Sequence, residues 1–390
     1  MDTLRARMAE AHYRFLAANI TDSAGSARPD WAEPFNVIER GGVRVAVIGL
    51  ALPATPETTS PRNVRGLAFG NGAQAVRRVL PQARAAADYV IVLAHVGAFC
   101  DGDGAAAPLG PAALDSGSVD LIVSGHTHSL VNTVVNGIPI VQARSSGAGI
   151  ALVDFVRVTA AGALRREVRA RIETPFADRI HLDPTLVDAL RLSQASVSVI
   201  TDRPVARFGA ELRRTGGEYG LGRLIADAQR NVAKSDVALV NNGGIRTDVA
   251  AGLATYGDLY RVEPFQNRLM RLAVSGKVLK QALEHALTGD GPDAHVAGIV
   301  VWYDSGKPAG RRLKKVRLAN GKDVDDGQTY TVAVSDFLAA GGSGYTMLVG
   351  APSGEVGVTD LDALIQYLAV LRQPISAPDD RRFYAVGGGR

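Results

Sequence analysis

Short apolar stretches alternate with longer segments of helical periodicity in the first half of this chain, and this alternation most constrains its fold. Residues Val43–Leu50, Tyr89–Ala94 and 119–123 have the length and composition of buried strands, and 72–87 has helical spacing. Strands that are apolar along their whole length are typical of parallel sheets covered on both faces. The pattern therefore predicts a layered α/β domain.

A second set of elements follows in the other half of the chain. Segments 220–232 and 275–287 have apolar residues at helical spacing, and 237–240 has the composition of a short buried strand. The dipeptide Asn320-Gly321 is typical of a two-residue turn. Because it separates the alternating segment 313–318 from the apolar segment 330–334, we expect these two segments to form a β-hairpin. The second half is thus predicted to be an α/β domain that contains antiparallel strands.

The length of 390 residues favours two domains. Residues 173–195 mix charged residues with Pro175 and Pro184, which predicts a linker that is helical over its second half. We therefore expect a first domain at 1–172, the linker at 173–195, and a second domain at 196–390.

Composition excludes several classes of protein. With 43 Lys and Arg against 39 Asp and Glu, the formal charge of +4 is too small to indicate a nucleic-acid partner. The sequence contains no apolar run of membrane-spanning length and no signal peptide in its first 40 residues, which predicts a cytoplasmic location if Met1 is the true start. The single cysteine, Cys100, excludes an intrachain disulfide. Nothing in the sequence indicates an oligomeric state.

Three of the seven histidines follow predicted strands directly. His95 follows one strand, and His126 and His128 follow the next, in the run SGHTH at 124–128. Sites in open α/β sheets lie at the carboxyl ends of strands, and imidazole is a common zinc ligand. His95 alone is more typical of a loop or core histidine, but together the three predict a metal site.

Four segments resemble known motifs. AHVG at 94–97 and GHTH at 125–128 resemble the third and fourth metal motifs of the calcineurin-like metallophosphoesterases. Residues 241–267 and 335–345 resemble signature segments of the carboxy-terminal domain of the 5′-nucleotidase family. The resemblance covers nearly the whole chain. It implies an N-terminal layered α/β/β/α metallophosphoesterase-like domain, incomplete at its N-terminus, followed by an α/β domain of the 5′-nucleotidase C-terminal type.

The resemblance implies two divalent metal ions, of the Zn, Mn, Fe or Co type, that clamp a phosphate and activate water. His95 and His126 would ligate one ion and His128 the other. The family's Asp-x-His, bridging Asp and Gly-Asn-His-Asp/Glu segments have no counterpart in this sequence. No catalytic residue is therefore assigned, and we expect reduced or absent metal occupancy. Either the true start lies upstream or the domain has lost its first strands; the three retained histidines favour an upstream start.

The second domain carries the residues that the resemblance assigns to the nucleotide. Asn241 would bond the base or ribose and Arg246 the ligand oxygens, while two phenylalanines sandwich the base. Each phenylalanine, taken alone, is more typical of a core residue. Ser343 stands where the family usually has an aspartate that accepts from the ribose hydroxyls. The complete set of implied substrate-binding residues is Asn241, Arg246, Phe265, Asn267, Phe337, Ser343, Arg214 and Arg223.

Three functions remain open. The first is a metal-dependent phosphomonoester hydrolase of the 5′-nucleotidase type, which releases phosphate from nucleoside 5′-phosphates or related nucleotides in nucleotide catabolism. The alternative is a catalytically inactive nucleoside-binding relic that lacks half of the metal site. A third, weaker hypothesis is a phosphoesterase for an ester without a nucleoside. The resemblance also implies a periplasmic or extracellular location, and a nucleotide or nucleoside as the partner molecule.

Overall fold

The computed structural model describes residues 2–25, 27–97, 114–160, 163–289 and 291–386. Cys100 lies outside these residues. The chain divides into two compact units, and the boundary along the chain lies between Asp183 and Pro184. Residues 59–61 also belong to the second unit.

The first unit contains three helices and ten strands within its described residues. They are α1 Asp2–Glu10, β1 Ile20–Asp22, β2 Phe35–Arg40, β3 Val43–Leu50, α2 Thr55–Thr58, β4 Leu67–Phe69, α3 Gly72–Ala86, β5 Tyr89–Ala94, β6 Leu121–Val123, β7 Leu130–Val135, β8 Ile138–Ala143, β9 Ile150–Ala160 and β10 Ala163–Glu173.

A six-stranded sheet in the order β2-β3-β5-β6-β8-β7 forms the centre of this unit. Strands β3, β5, β6 and β8 are parallel, and β2 and β7 pair antiparallel at the two edges. Helix α3 begins after Asn71, whose side chain accepts a hydrogen bond from the Gln74 amide at 3.0 Å. It buries an apolar stripe that includes Val76 and Val79 against this sheet, in one cluster with Val90 and Val92. The parallel strands place the carboxyl ends of β5 and β6 side by side.

The second unit contains six helices and ten strands within its described residues. They are α4 Pro184–Thr201, β11 Pro204–Phe208, α5 Gly220–Ala233, β12 Val237–Asn241, β13 Gly252–Thr255, α6 Tyr256–Val262, β14 Arg268–Ser275, α7 Gly276–His285, β15 Ala294–Ala297, β16 Ile299–Tyr303, β17 Leu313–Leu318, β18 Thr329–Ser335, α8 Asp336–Ala339, β19 Ser353–Thr359, α9 Asp360–Val370 and β20 Phe383–Ala385.

A five-stranded sheet in the order β15-β12-β18-β14-β19 lies at the centre of the second unit, beside a three-stranded sheet β17-β16-β20 and the pair β11-β13. Strand β12 is buried on both faces. Its Ala238 and Val240 pack in one cluster with α5 and α9, whereas Val237 and Leu239 pack in another with α7. Helices therefore cover both faces of this sheet, as expected for strands without a polar face.

The hairpin predicted around Asn320-Gly321 is wrong. A turn does form, with the Leu318 amide donating to the Lys322 carbonyl at 2.8 Å. After the turn, the chain pairs with β17 only through an isolated bridge between Arg317 and Asp323. Strand β17 pairs with β16, whereas β18 pairs with β12 and β14 in the other sheet. The buried side chains of β18 require a central position, and this burial overrides the local turn signal.

Helix α4 occupies the second half of the predicted linker and continues past residue 195 to Thr201. Most of its residues are exposed, including Leu186, Leu190 and Val199. None of the helices in the described parts of the chain combines the length and apolar character needed to cross a bilayer.

Candidate functional site

The three predicted metal ligands lie at the carboxyl ends of two neighbouring strands. His95 follows β5, and His126 and His128 follow β6, which pairs with β5 in parallel. The rings of His95 and His126 lie 5.2 Å apart between centroids, at an angle of 68°. All three side chains are exposed. The structure therefore brings His95 and His126 into contact, and His128 lies on the same loop as His126.

The loop that carries His126 and His128 has an unusual backbone. Both residues are left-handed, with φ of 73° and 59°, a conformation that non-glycine residues adopt rarely and that is often retained at functional sites. Buried polar groups hold the loop: the Ser124 hydroxyl donates to the Val96 carbonyl at 2.6 Å, and the Gln142 amide donates to the Thr127 hydroxyl at 2.8 Å. This network fixes the backbone on which the histidines stand.

The described residues do not complete a metal centre. Within 2–25, 27–97, 114–160, 163–289 and 291–386, no three His, Cys, Asp or Glu side chains form a group that could hold an ion. His95 and His126 could offer two imidazoles to one ion, but a catalytic zinc ion normally has three protein ligands. These histidines therefore account for part of one coordination sphere.

The predicted nucleotide-binding segments converge on one edge of the five-stranded sheet. Strands β12 and β18 are parallel, so Asn241, which ends β12, and Phe337, which follows β18, lie at the same edge. Strand β14 runs antiparallel to β18, so the segment with Phe265 and Asn267 enters the sheet there as well. The Arg268 amide donates to the Asp336 carboxylate at 3.2 Å and joins two of these segments.

Ser343 and Asn241 are joined directly. The Asn241 amide donates to the Ser343 hydroxyl at 3.3 Å. Ser343 has a left-handed backbone, with φ of 51°, and its carbonyl accepts a hydrogen bond from Nε2 of His285 at 2.7 Å. The His285 ring in turn meets Tyr345 edge to face at 4.7 Å. The loop at Ser343 is therefore held from two sides, and its hydroxyl is already engaged.

The two predicted stacking rings differ in exposure. Phe265 is exposed, and the guanidinium of Arg246 lies 5.8 Å from its ring centroid. The Arg214 guanidinium donates to the backbone carbonyl of Arg246 at 2.7 Å, so it contacts the residue whose side chain lies over this ring. Phe337 is half-buried. A Cβ at Gly342 would lie 2.3 Å from the Phe337 ring, so only glycine lets the ring lie against this loop.

A pair of buried carboxyl groups lies behind the Phe265 segment. Asn267 donates through its side-chain amide to Asp360 at 2.9 Å and accepts from the Asp360 amide through its carbonyl at 2.9 Å. Glu263 is buried, and one of its carboxyl oxygens has no hydrogen-bond partner within the described parts of the chain. Burial and the nearby Asp360 raise the pKa of Glu263 well above its usual range, and burial raises the pKa of Asp360 to about 6.

Arg223 lies apart from the exposed arginines. It is buried in α5, and its guanidinium donates twice to the Pro378 carbonyl, at 3.1 and 2.9 Å. Glu218 lies 3.8 Å away. These contacts give Arg223 a role inside the unit, whereas Arg214 and Arg246 are exposed.

Several supporting residues were not singled out from the sequence. They are Glu263, Asp360, Asn242, His285 and His295. One signal was present: His295 interrupts the otherwise apolar strand Ala294–Ala297, where an isolated polar residue needs a partner. No comparable pattern marks Glu263 and Asp360, because their proximity depends on the folding of distant segments.

Comparison with known proteins matches residues 196–350 to the family described as 5′-nucleotidase, C-terminal domain. Endonuclease YhcR of Bacillus subtilis strain 168 is 28% identical in an alignment that covers 90% of this chain and 29% of that protein. The 5′-nucleotidase of Vibrio cholerae serotype O1 is 27% identical in an alignment that covers 97% of this chain and 74% of that protein. The chain thus spans less than a third of the endonuclease and about three quarters of the nucleotidase.

The crystal structure of the 5′-nucleotidase precursor from Thermus thermophilus is similar over 98% of this chain and 80% of that chain, with a TM-score of 0.80 and 25% identity. This likeness confirms the predicted fold class, a metallophosphoesterase-like α/β unit followed by a unit of the C-terminal type. Residues 196–350 thus match the family of the 5′-nucleotidase C-terminal domain, and the chain as a whole is similar to hydrolases named 5′-nucleotidase.

Proposed function

We propose that the chain serves phosphomonoester hydrolysis of the 5′-nucleotidase type, and that residues 196–390 bind the nucleoside part of the substrate. The substrates are nucleoside 5′-phosphates or related nucleotides. One observation carries the proposal: Asn241, Phe337 and the segment with Phe265 and Asn267 converge on one edge of the five-stranded sheet.

The chemistry at this edge suits a nucleoside better than an ester without a base. An exposed aromatic ring such as Phe265 can stack on a base, which stabilises binding by about 1–3 kcal/mol. Asn241 offers both donor and acceptor groups to polar edges. The exposed guanidinium groups of Arg214 and Arg246 can bind phosphate oxygens in bidentate fashion.

We assign His95, His126 and His128 to metal binding in the first unit. Divalent ions at such a site clamp the phosphate and activate water. Three imidazoles do not complete the coordination of two ions, so the described residues account for binding rather than for hydrolysis. A location outside the cytoplasm stays a prediction from the resemblance.

A second candidate is nucleoside binding without hydrolysis. The incomplete set of metal ligands in the first unit favours it. The rings of His95 and His126 lie in contact, but the described residues do not add a third ligand to form a metal-binding group. Both functions require the same pocket in the second unit. They differ in whether bound AMP releases phosphate.

Calorimetry with adenosine and AMP tests the shared pocket. We expect Phe265→Ala to weaken adenosine binding about 5- to 150-fold, the equivalent of one stacked base. Phe176→Ala is the matched control, because Phe176 is 52% exposed against 55% for Phe265 and also lies under an arginine, Arg179, at 5.0 Å. Failure of the wild type to bind either ligand, or equal affinities in the two variants, would contradict the pocket.

A further inference from the structure

His295 is a fully buried histidine behind the predicted nucleoside site. It lies in β15 with 0% of its surface exposed. Its Nε2 lies 2.6 Å from the side-chain oxygen of Asn242, and its Nδ1 is buried without a hydrogen-bond partner among the residues that the structure describes. An amide oxygen only accepts hydrogen bonds, so Nε2 carries the proton and donates it to Asn242.

The surroundings of the ring keep it neutral. Burial, reinforced by the guanidinium groups of Arg223 and Arg382, lowers the pKa of His295 to about 3. The ring of Tyr219 meets the imidazole edge to face at 4.3 Å. A proton on Nδ1 would be buried with no acceptor beside it from any described residue. The imidazole is therefore a fixed donor with one tautomer.

Helix α5 is shaped to receive this ring. A Cβ at Gly222 would lie 2.1 Å from the His295 ring, closer than any side chain allows. The imidazole thus occupies space that exists because residue 222 is glycine. This close approach restricts the ring position from the side of the helix.

Asn242 passes the constraint to the ligand-binding loop. Its side-chain oxygen accepts from His295, and its side-chain amide donates to the Gly217 carbonyl at 3.1 Å. Its backbone amide donates to the Asp293 carbonyl at 3.2 Å. Because the imidazole can only donate to Asn242, the asparagine cannot rotate by half a turn without losing both side-chain bonds. Asn242 is thus held at three points.

Asn242 stands next to Asn241 at the start of the loop that leads to Arg246. We propose that His295 is a positioning residue of the nucleoside site: its Nε2–H orients Asn242, which holds this loop against the Gly217 segment in a ligand-ready arrangement. The inference rests on the proposed nucleoside binding by the second unit. A loop ordered before binding loses less conformational freedom when the ligand arrives, which raises affinity.

Two substitutions separate the hydrogen bond from the packing. We expect His295→Leu, which fills space without donating, to weaken adenosine binding by the full chain at least tenfold. His295→Gln keeps an N–H donor and should restore the affinity to within about threefold of the wild type. Val296→Ala is the control, because Val296 is equally buried in the same strand but packs in the cluster with α7. It should lower the melting temperature and leave adenosine affinity unchanged.

The outcomes separate the inference from the proposed function. A wild type that binds neither adenosine nor AMP removes the proposed function and the inference with it. A wild type that binds, with His295→Leu binding equally well, overturns the inference alone. If His295→Leu does not fold, Asn242→Ala replaces it: this variant keeps the imidazole, and we expect the same loss of at least tenfold. Unchanged affinity in Asn242→Ala would overturn the inference.

The protonation state of the imidazole separates the proposed role from a role in packing alone. Nitrogen NMR of the full chain should show His295 as the neutral Nε2–H tautomer at pH 5, where an exposed histidine is charged. The Nδ1–H tautomer or a charged ring at pH 5 would overturn the proposed role, because either would change the bond to Asn242.

Discussion

The candidate residues of the two units are supported in different ways. In the first unit His95, His126 and His128 are exposed. Hydrogen bonds from the buried Ser124 and Gln142 hold neighbouring residues of the loops, not the histidine side chains. In the second unit the candidate side chains bond to one another or to buried supports, as Asn241 does to Ser343 and Asn267 to Asp360. The first unit presents exposed candidate ligands at strand ends, whereas the second presents candidate side chains that are hydrogen-bonded.

The difference follows from the chemistry of the two ligands. A metal ion needs several ligands from separate segments, and its coordination is complete only when all of these ligands come together. A nucleoside needs a ring face and a few hydrogen bonds, which neutral side chains can arrange among themselves beforehand. We therefore expect single substitutions in the second unit to weaken ligand binding by measurable amounts. In the first unit we expect catalysis to depend on metal ligands beyond the three histidines.

The largest expected effect concerns hydrolysis by the 390-residue chain. The proposed hydrolysis requires metal ligands beyond His95, His126 and His128, because the described residues do not form a three-ligand site. For the 390-residue chain by itself we therefore expect AMP turnover well below the roughly 1 s⁻¹ typical of enzymes, even with added Mn²⁺ or Zn²⁺. Phosphate release and bound metal are measured on the same sample that binds adenosine, which shows that it is folded. Two bound ions with turnover of about 1 s⁻¹ or more would break the comparison between the units.

The next effect concerns the half-buried ring in the second unit. Phe337→Ala should weaken adenosine binding by about 1–3 kcal/mol, because one stacked face is lost. Gly342→Ala should weaken binding too, since its Cβ would displace the Phe337 ring. Gly354→Ala is the matched control, because a Cβ there meets nothing within 4 Å. If calorimetry gives the same affinity for all three variants, the ring does not face the ligand.

The buried carboxyl pair predicts a pH dependence of stability. The pKa of Asp360 is raised from 3.8 to about 6, and that of Glu263 is also raised, so the folded state holds these protons more tightly than the unfolded state. The stabilisation from Asp360 is therefore present below about pH 4 and is lost as the pH rises towards 6 and above, by about 1.4 kcal/mol for each unit of pKa shift.

Glu263→Gln should flatten this dependence, because it removes one titrating group and its repulsion of Asp360. Urea unfolding from pH 4 to pH 8 measures the effect. Glu211→Gln is the control, since Glu211 is exposed and pairs with Arg213 on the surface. A wild-type free energy of unfolding that rises steadily from pH 4 to pH 6 and is unaltered by Glu263→Gln would contradict the assigned pair.

The smallest expected effect concerns the ribose. Ser343→Asp should raise the preference for adenosine over 2′,3′-dideoxyadenosine several-fold, because hydrogen bonds to a charged acceptor are about twice as strong as neutral ones. The Ser343 hydroxyl already accepts from Asn241, so the wild type should discriminate weakly. Paired affinities for the two compounds in both variants decide the matter, and an unchanged ratio would show that residue 343 does not face the ribose.

Periodicity predicted most elements near the ends that the structure gives them. Helix α3 ends at Ala86 where 72–87 was expected, and β12 extends one residue past the predicted strand to Asn241. These segments have a regular apolar pattern that matches their burial. The hairpin at Asn320-Gly321 failed because a turn sequence determines where the chain reverses but not which strand becomes its neighbour.

The motifs of the candidate site were visible in the sequence, but its supports were not. Short segments with Asn241, Phe265 and Phe337 indicated the predicted nucleoside site, whereas His285, His295 and the Glu263–Asp360 pair become recognisable only as contacts. The left-handed backbone at His126 and His128 was equally unpredicted, because the surrounding hydrogen bonds impose it on residues without an intrinsic preference for it.

Local periodicity and side-chain identity were enough to predict the α/β class, most helices and strands, and the residue types that the chemistry requires. Which strands became neighbours, which polar groups are buried and which residue lies beside His295 are visible only in the folded chain. These properties depend on burial and on hydrogen-bond partners from distant segments, which no local pattern contains.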